Sequence, residues 1–263
     1  MKGGHVHFLG HATLLIEVNG VTLLTDPISR VLRGNAQFKT FLSGAKKRPP
    51  LDIVLISHSH RDHFDPKALR DIEASFFILP ERCFRLFPKK RNALLVEMRP
   101  WEVIEIKGLK IRSLPALHLS WLHPYPLLTP SLSYLIEFDN LGLYFAGDTG
   151  FCRRLFKGIG QSFKIDIAFL PVGPDDLLFK WYHLGAKDAI RAYKLLGAKV
   201  FIPIHWGVVK GTSGDSLKTV RKLLGFSLPY LRLLNVGDKV SLGELLNREG
   251  AFAPPDLNFL KQV

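Results

Sequence analysis

Residues 52–65 read DIVLISHSHRDHFD, an apolar run from Asp52 to Ser57 followed by a cluster that packs three histidines and two aspartates into Ser57–Asp65. The apolar part reads as a buried strand. On an extended segment the side chains at i and i+2 share a face, so His58 and His60 can grip one ion. Asp62 and His63 follow at once and, where the chain turns, face a second position beside the first. Imidazole nitrogen with carboxylate oxygen suits zinc, iron or manganese. A lone histidine is usually explained by an ordinary hydrogen bond. Four ligand-type residues in the order H-x-H-x-D-H point instead to metal binding.

Four residues cannot complete two sites, so further ligands are expected at other strand ends. His118 closes SLPALH, Asp148 sits in YFAGDTG and His205 lies in VFIPIHWG, each where an apolar run meets a turn. Singly they have ordinary accounts: a loop histidine, a turn aspartate, a core-edge histidine. Jointly they supply what is missing, with His58, His60 and His118 around one metal and Asp62, His63 and His205 around the other. Asp148 bridges the two. Such a set leaves positions open for a shared water, which separates a catalytic site from a structural one.

Composition narrows the class of protein. The chain has 263 residues, 47% hydrophobic and 22% charged, which fits one globular domain spanning 1–263. Two cysteines, Cys83 and Cys152, exclude a disulfide framework and fit a reducing, cytoplasmic setting. The N-terminus, with His5, His7 and Glu17, reads as a strand and not as a signal peptide. No apolar run reaches the ~18 residues of a membrane-spanning helix. The formal net charge is +13, with clusters at Arg30/Arg33, Lys46-Lys47-Arg48, Lys89-Lys90-Arg91 and Arg153-Arg154. That field either favours anionic partners or is a generic basic surface.

Along the chain, strands are expected at 7–9, 12–18 and 21–25, then a long surface loop over 29–50 and the buried strand 52–57. A short helix over 66–74 is capped by Asp65. Further strands are expected at 76–79, 103–106, 109–114, 133–138, 143–146, 165–170 and 199–203. GAKDAIRAYKLLG reads as an amphipathic helix ending at Gly197. A last helix over 216–224 precedes a hairpin around Val236-Gly237-Asp238, and the tail from Arg248 reads as loosely ordered.

H-x-H-x-D-H with a distant histidine, a G-D-T turn and a late histidine resembles the metallo-β-lactamase superfamily. GHATLLIEVNGVTLLTDPIS, SHSHRDHFD, LPALH, GDTG, LPVG and IPIHWG are together similar to one branch of it. That branch includes the N-acylphosphatidylethanolamine-hydrolysing phospholipase D and, more distantly, the ascorbate-6-phosphate lactonases. The resemblance runs from about Phe8 to Gly207 and implies an α+β fold, a four-layer αββα sandwich of two mixed β-sheets flanked by helices. It also implies a dinuclear site for two divalent ions, zinc first, with manganese or iron as alternatives.

Site expectations follow. Asp62, at the second metal, and His183, in FKWYHLGAKDA, are the expected catalytic groups; His183 either contacts a substrate phosphate or leaving group or caps a helix. Asp26 and Asp65 either orient the ligand histidines from behind or act as caps, and His11 faces the same rim. After PALH the chain carries LSWLHPYPLLTPSL, where Trp121 and Tyr125 either line an acyl-chain entrance or belong to a buried cover loop. The expected reaction is hydrolysis by a metal-bridging hydroxide. A phosphodiester or phospholipid-like anionic substrate is preferred, with peripheral contact to a membrane surface and no specific nucleic acid. A lactone or ester substrate, or a non-catalytic nucleic-acid-binding module, is the alternative.

Overall fold

The computed structural model describes residues 3–34, 51–89, 92–121, 128–173, 181–206 and 216–247. Strands β1 (His5–Gly10), β2 (Thr13–Val18) and β3 (Val21–Thr25) pair antiparallel, and β4 (Leu51–Leu55), β5 (Ala74–Pro80) and β6 (Leu94–Met98) add in parallel. Period-two alternation gives this sheet two buried faces. Leu14, Ile16, Leu23, Ile53, Leu55 and Ile78 enter the central core, while Leu15, Leu24, Val54, Phe77 and Leu79 enter an outer cluster. Two helices cover that outer face, α1 (Ser29–Gly34) through Val31 and Leu32, and α2 (Pro66–Asp71) through Ala68 and Leu69.

The second sheet contains β7 (Val103–Ile106), β8 (Leu109–Pro115), β11 (Leu132–Phe138), β12 (Leu141–Phe145), β13 (Ile167–Pro171) and β14 (Val200–Ile204). It too is antiparallel at one side and parallel at the other. Asp139 and Asn140 both take positive φ in the turn between β11 and β12, the geometry that suits a tight hairpin. Between β8 and β11, β9 (Ser120–Trp121) and β10 (Leu128–Thr129) form a separate two-stranded ribbon. Helices α3 (Arg153–Ser162), α4 (Ala186–Leu196) and α5 (Ser216–Leu224) bury Phe156, Ile159, Ala189, Ala192, Leu196, Val220 and Leu223 in the core against this sheet. Strand β15 (Lys239–Ser241) then returns to pair with β1 and leads into α6 (Leu242–Leu246). Two mixed sheets share one apolar core with helices outside, as the resemblance implied.

Two expectations are corrected. The segment from Ser29 is not wholly loop, because Ile28, Val31 and Leu32 have helical spacing and a face to bury; residues 35–50 lie outside the described residues. The turn at Val236–Asp238 makes no hairpin. Gly237 N–H and Asp238 C=O bond to Phe8 and guide β15 onto β1. Helix α3 and strand β6 carried too little signal to be expected. Two glycines obscure α3, and Gly160 is there because a Cβ would lie 2.2 Å from the Leu195 carbonyl oxygen of α4. The tail from Arg248 is outside the described residues.

The sheets are also joined at the end away from the histidine cluster. Asp52, buried at the start of β4, accepts from Thr22 N at 2.8 Å and Thr22 Oγ1 at 3.0 Å, and pairs closely with Lys107 of the second sheet. Burial pushes its carboxyl up, but the Lys107 and Thr22 donors outweigh this and hold it below the usual range. A carboxyl depressed in the fold adds stability above its unfolded pKa of about 3.9, and loses it as pH falls through the folded value. Asp52→Ala is therefore expected to cost about 1–3 kcal/mol in urea unfolding at neutral pH. The gap from the parent should narrow as the pH falls below about 3.9. A neutral-pH loss under ~0.5 kcal/mol, or a gap that widens in acid, contradicts this role.

Candidate metal centre

The strand ends of both sheets meet at one rim. β4 delivers Ser57 and His58, and the Leu132 N–H of β11 bonds the Ser57 carbonyl at 2.9 Å, which ties the two sheets together beside the cluster. The amides of His63 and Phe64 fold back to the His60 carbonyl at 2.9 and 2.7 Å. Phe64 is buried in the outer core and anchors this turn. His118 follows β8, Asp148 follows β12, His183 precedes α4, and His205 follows β14. His11, between β1 and β2, and His205 both have positive φ, and the His205 N–H bonds the His11 carbonyl at 2.8 Å.

His58, His60 and His118 offer nitrogens that lie within 4.8 Å of one another, as do donor atoms of His11, Asp62, His63 and His205. His60 Nδ1 is 3.1 Å from His58 Nε2 and 3.0 Å from His118 Nε2. On the other side, Asp62 Oδ2 is 3.3 Å from His11 Nε2, 3.6 Å from His205 Nε2 and 3.8 Å from His63 Nε2. Asp148 stands between the groups. Its Oδ2 lies 3.2 Å from His205 Nε2, 3.4 Å from His63 Nε2, 3.9 Å from His58 Nε2 and 4.0 Å from His118 Nε2. All seven side chains expected as ligands thus converge.

The remaining nitrogens explain why the inward ones are available. His63 Nδ1 bonds Asp26 Oδ2 at 2.7 Å, and Ser57 Oγ donates to the same oxygen at 2.6 Å. His58 Nδ1 lies 2.9 Å from that hydroxyl, so Asp26 orients His63 directly and His58 through Ser57. His118 Nδ1 donates to the Tyr182 carbonyl at 2.9 Å. With these outer nitrogens engaged, the inner nitrogens of His58, His63 and His118 are left facing the cluster, whereas His205 Nδ1 has no such partner among the described residues. The Nε2 atoms of His11, His63 and His205, and Asp148 Oδ1, are buried with no aligned hydrogen bond among the described residues. Buried polar atoms are nearly always satisfied. Orphans of this chemistry, aimed at a common space, fit divalent cations.

Electrostatics say the same. Burial pushes the Asp148 carboxyl up, but His205, His63 and His183 around it outweigh that and hold it well below the carboxylate range. Burial likewise pulls every imidazole down. It leaves His11 and His118 at about 4, and His58 well below its ordinary value. Only His63 and His205 go the other way, because the charges of Asp148 and Asp62 overcome burial and raise His205 to about 9. Two carboxylates held ionised, Asp148 and Asp62, beside imidazoles that burial keeps neutral at His11, His58 and His118, attract positive charge, whether as protons on His63 and His205 or as divalent cations.

The other expectations resolve as follows. Asp26 bonds His63 directly and reaches His58 through Ser57. Asp65 is a cap: it accepts from Lys67 N at 2.8 Å at the start of α2 and from Ser29 N at 2.8 Å in α1, and touches no ligand histidine. His183 is no cap, since Gly185 holds the N-cap of α4; its Nδ1 lies 3.6 Å from Asp148 Oδ2. His11 is closer than expected, against Asp62 itself and not behind the histidines. The Trp121 side chain and Tyr125 lie outside the described residues. On either side of them Leu117, Leu119 and Leu128 are exposed while Ser120 and Thr129 are buried. Ser57 and the Tyr182 carbonyl were not expected. Ser57 was legible as the hydroxyl preceding the first histidine, whereas nothing in sequence marks a carbonyl 64 residues from its partner.

Residues 5–205 match the family model described as a beta-lactamase superfamily domain, so the chain belongs to the metallo-β-lactamase superfamily. Within it the chain is 30% identical over 231 residues to N-acyl-phosphatidylethanolamine-hydrolyzing phospholipase D 1 of Caenorhabditis elegans, covering 76% of this chain and 63% of that enzyme. It is also 30% identical over 207 residues to a metal-dependent hydrolase of Methanopyrus kandleri, covering 77% and 84% of the two chains. In fold it is similar to a metallo hydrolase of Ignicoccus hospitalis, with a TM-score of 0.69, 24% identity and 92% and 99% coverage.

Asp26→Ala is expected to leave a folded chain whose affinity for zinc, by chelator competition, falls about 10–100-fold. Asp65→Ala should leave that affinity unchanged and lower the melting temperature instead. Equal zinc affinity in parent and Asp26→Ala contradicts the orienting role.

Proposed function

We propose that this chain is a metal-dependent hydrolase with a dinuclear site, acting on a phosphodiester or phospholipid-like anionic substrate. The observation that carries the reading is the convergence of two donor groups on the buried carboxylate of Asp148. His58, His60 and His118 would hold one ion and Asp62, His63 and His205 the other, with Asp148 shared. Two bound divalent ions supply Lewis acidity and an ionised water at neutral pH.

The chain's own groups do the rest. Asp26, Ser57 and the Tyr182 carbonyl lock ring orientations, so little reorganisation is needed when charge develops. His183 stands at the rim with Nδ1 toward Asp148 and its ring 5.2 Å from His118. There it can bond a substrate oxygen or pass a proton to the leaving group. His11, with Nε2 on Asp62, either adds a ligand or orients that carboxylate. Identity with the phospholipase D favours a phosphodiester, and the exposed Leu117, Leu119, Leu128, Trp181 and Tyr182 near His118 suit an apolar substrate portion at a membrane surface. Acyl chemistry on a lactone is the second reading, since the same site would serve it.

Purified protein is expected to carry about two divalent ions per chain by elemental analysis, with clear loss in His58→Ala and in Asp148→Ala. It should cleave aryl phosphodiesters ahead of simple lactones. His183→Ala should keep its metal and lose about 10²–10⁴-fold in kcat. Full metal occupancy in both ligand variants overturns the site, and turnover of lactones alone overturns the substrate class.

A further inference from the structure

Besides the basic clusters at 30–48 and 82–91, three helices carry a large share of the positive charge of this chain. Helices α3, α4 and α5 carry Arg153, Arg154, Lys157, Lys187, Arg191, Lys194, Lys218, Arg221 and Lys222 against a single acid, Asp188. Nine bases less one acid is eight of the thirteen net positive charges of the whole chain. All nine basic side chains are exposed. The helices form a layer, with α4 packed against both α3 and α5. Their apolar residues turn inward, and none of the large apolar side chains exposed among the described residues lies on them.

This pattern has a geometric consequence. Cations spaced i, i+3 or i+4 recur about every 4.5–6 Å along a helix axis, and neighbouring axes are about 8–10 Å apart. The outer surface of these helices therefore carries closely spaced charges, and among the described residues no large apolar side chain is exposed on the helices themselves; Phe226 follows α5 and Tyr182 precedes α4. Durable adsorption to a bilayer needs apolar insertion or a lipid anchor. A polyphosphate backbone needs only the charges, because binding is driven by counterion release.

We propose that the α3–α4–α5 face binds the phosphate backbone of nucleic acid without sequence preference. It goes beyond the hydrolytic reading, and the surface lies outside the metal ligands. Arg191 already pairs with Asp188 at 2.9 Å and stacks on Phe151, so it is pre-positioned and not one of the residues chosen for the test.

The test uses the full chain and fluorescence anisotropy with a labelled single strand of about twenty nucleotides and with the matching duplex, across a salt series. Parallel arms use phosphatidylcholine vesicles with and without phosphatidylglycerol. The face variant combines Lys157→Gln, Lys194→Gln and Lys222→Gln, one on each helix. A control combines Lys67→Gln, Lys89→Gln and Lys110→Gln, which removes equal charge elsewhere. The parent should bind nucleic acid with log K falling linearly in log salt, and the face variant should bind at least ~10-fold more weakly at low salt, with a slope shallower by about two. The control should change less than ~3-fold, and Lys→Arg at the three face positions should keep parental binding, which separates charge from folding. Equal weakening by face and control variants, no salt-dependent binding by the parent, or tighter binding to the phosphatidylglycerol vesicles than to either nucleic acid would overturn the proposal. Metal content and phosphodiester turnover of the face variant should match the parent, so failure here leaves the hydrolytic reading standing.

Discussion

A carboxylate with almost no access to water sets the terms for this molecule. Asp148 is 2% exposed, yet it is held ionised. Taking a lone carboxylate out of water costs several kcal/mol unless positive charge or donors surround it. Here five imidazoles from four separate loops provide the surroundings, and each loop leaves the end of a buried strand or enters a helix. The two sheets must therefore stack with their strand ends in register for the charge to be tolerated at all. Fold and site are one constraint viewed from two ends.

Asp26 shows how that constraint is transmitted. It takes a positive φ of 34° directly after β3, a conformation disfavoured for a residue with a side chain. In return its carboxylate reaches across to β4, where it holds Ser57 and, through the shared oxygen, both His58 and His63. Gly147 is equally fixed, since a Cβ there would meet the Ser57 Cβ at 2.5 Å. Close approach of the β12 turn to the β4 end is what brings Asp148 beside the first histidines. Backbone strain at Asp26 and the close approach that glycine permits at 147 thus place the cluster.

Much of this was legible in the sequence, for identifiable reasons. H-x-H-x-D-H concentrates ligand chemistry on six positions, and the end-of-strand context of His118, Asp148 and His205 follows from apolar runs that stop at turns. The alternation of β2 and the apolar run of β4 located the first sheet. Residues whose role depends on a partner far along the chain were not legible. His11 was expected at the rim, but its contact with Asp62 and its backbone bond to His205 were not, and Asp65 was ambiguous until Ser29 was found bonded to it. Helix α3 was hidden because glycines that allow close packing on α4 also lower intrinsic helix propensity. The charge field was visible as a number but not as a surface, because three helices distant in sequence share it.

The most direct test of the account is anomalous diffraction from crystals of the zinc-loaded chain, collected on both sides of the zinc edge. The account predicts two peaks, one enclosed by His58, His60 and His118 and one by Asp62, His63 and His205, with Asp148 reaching both. A single peak, or ions bound elsewhere while Asp148 contacts none, would contradict it.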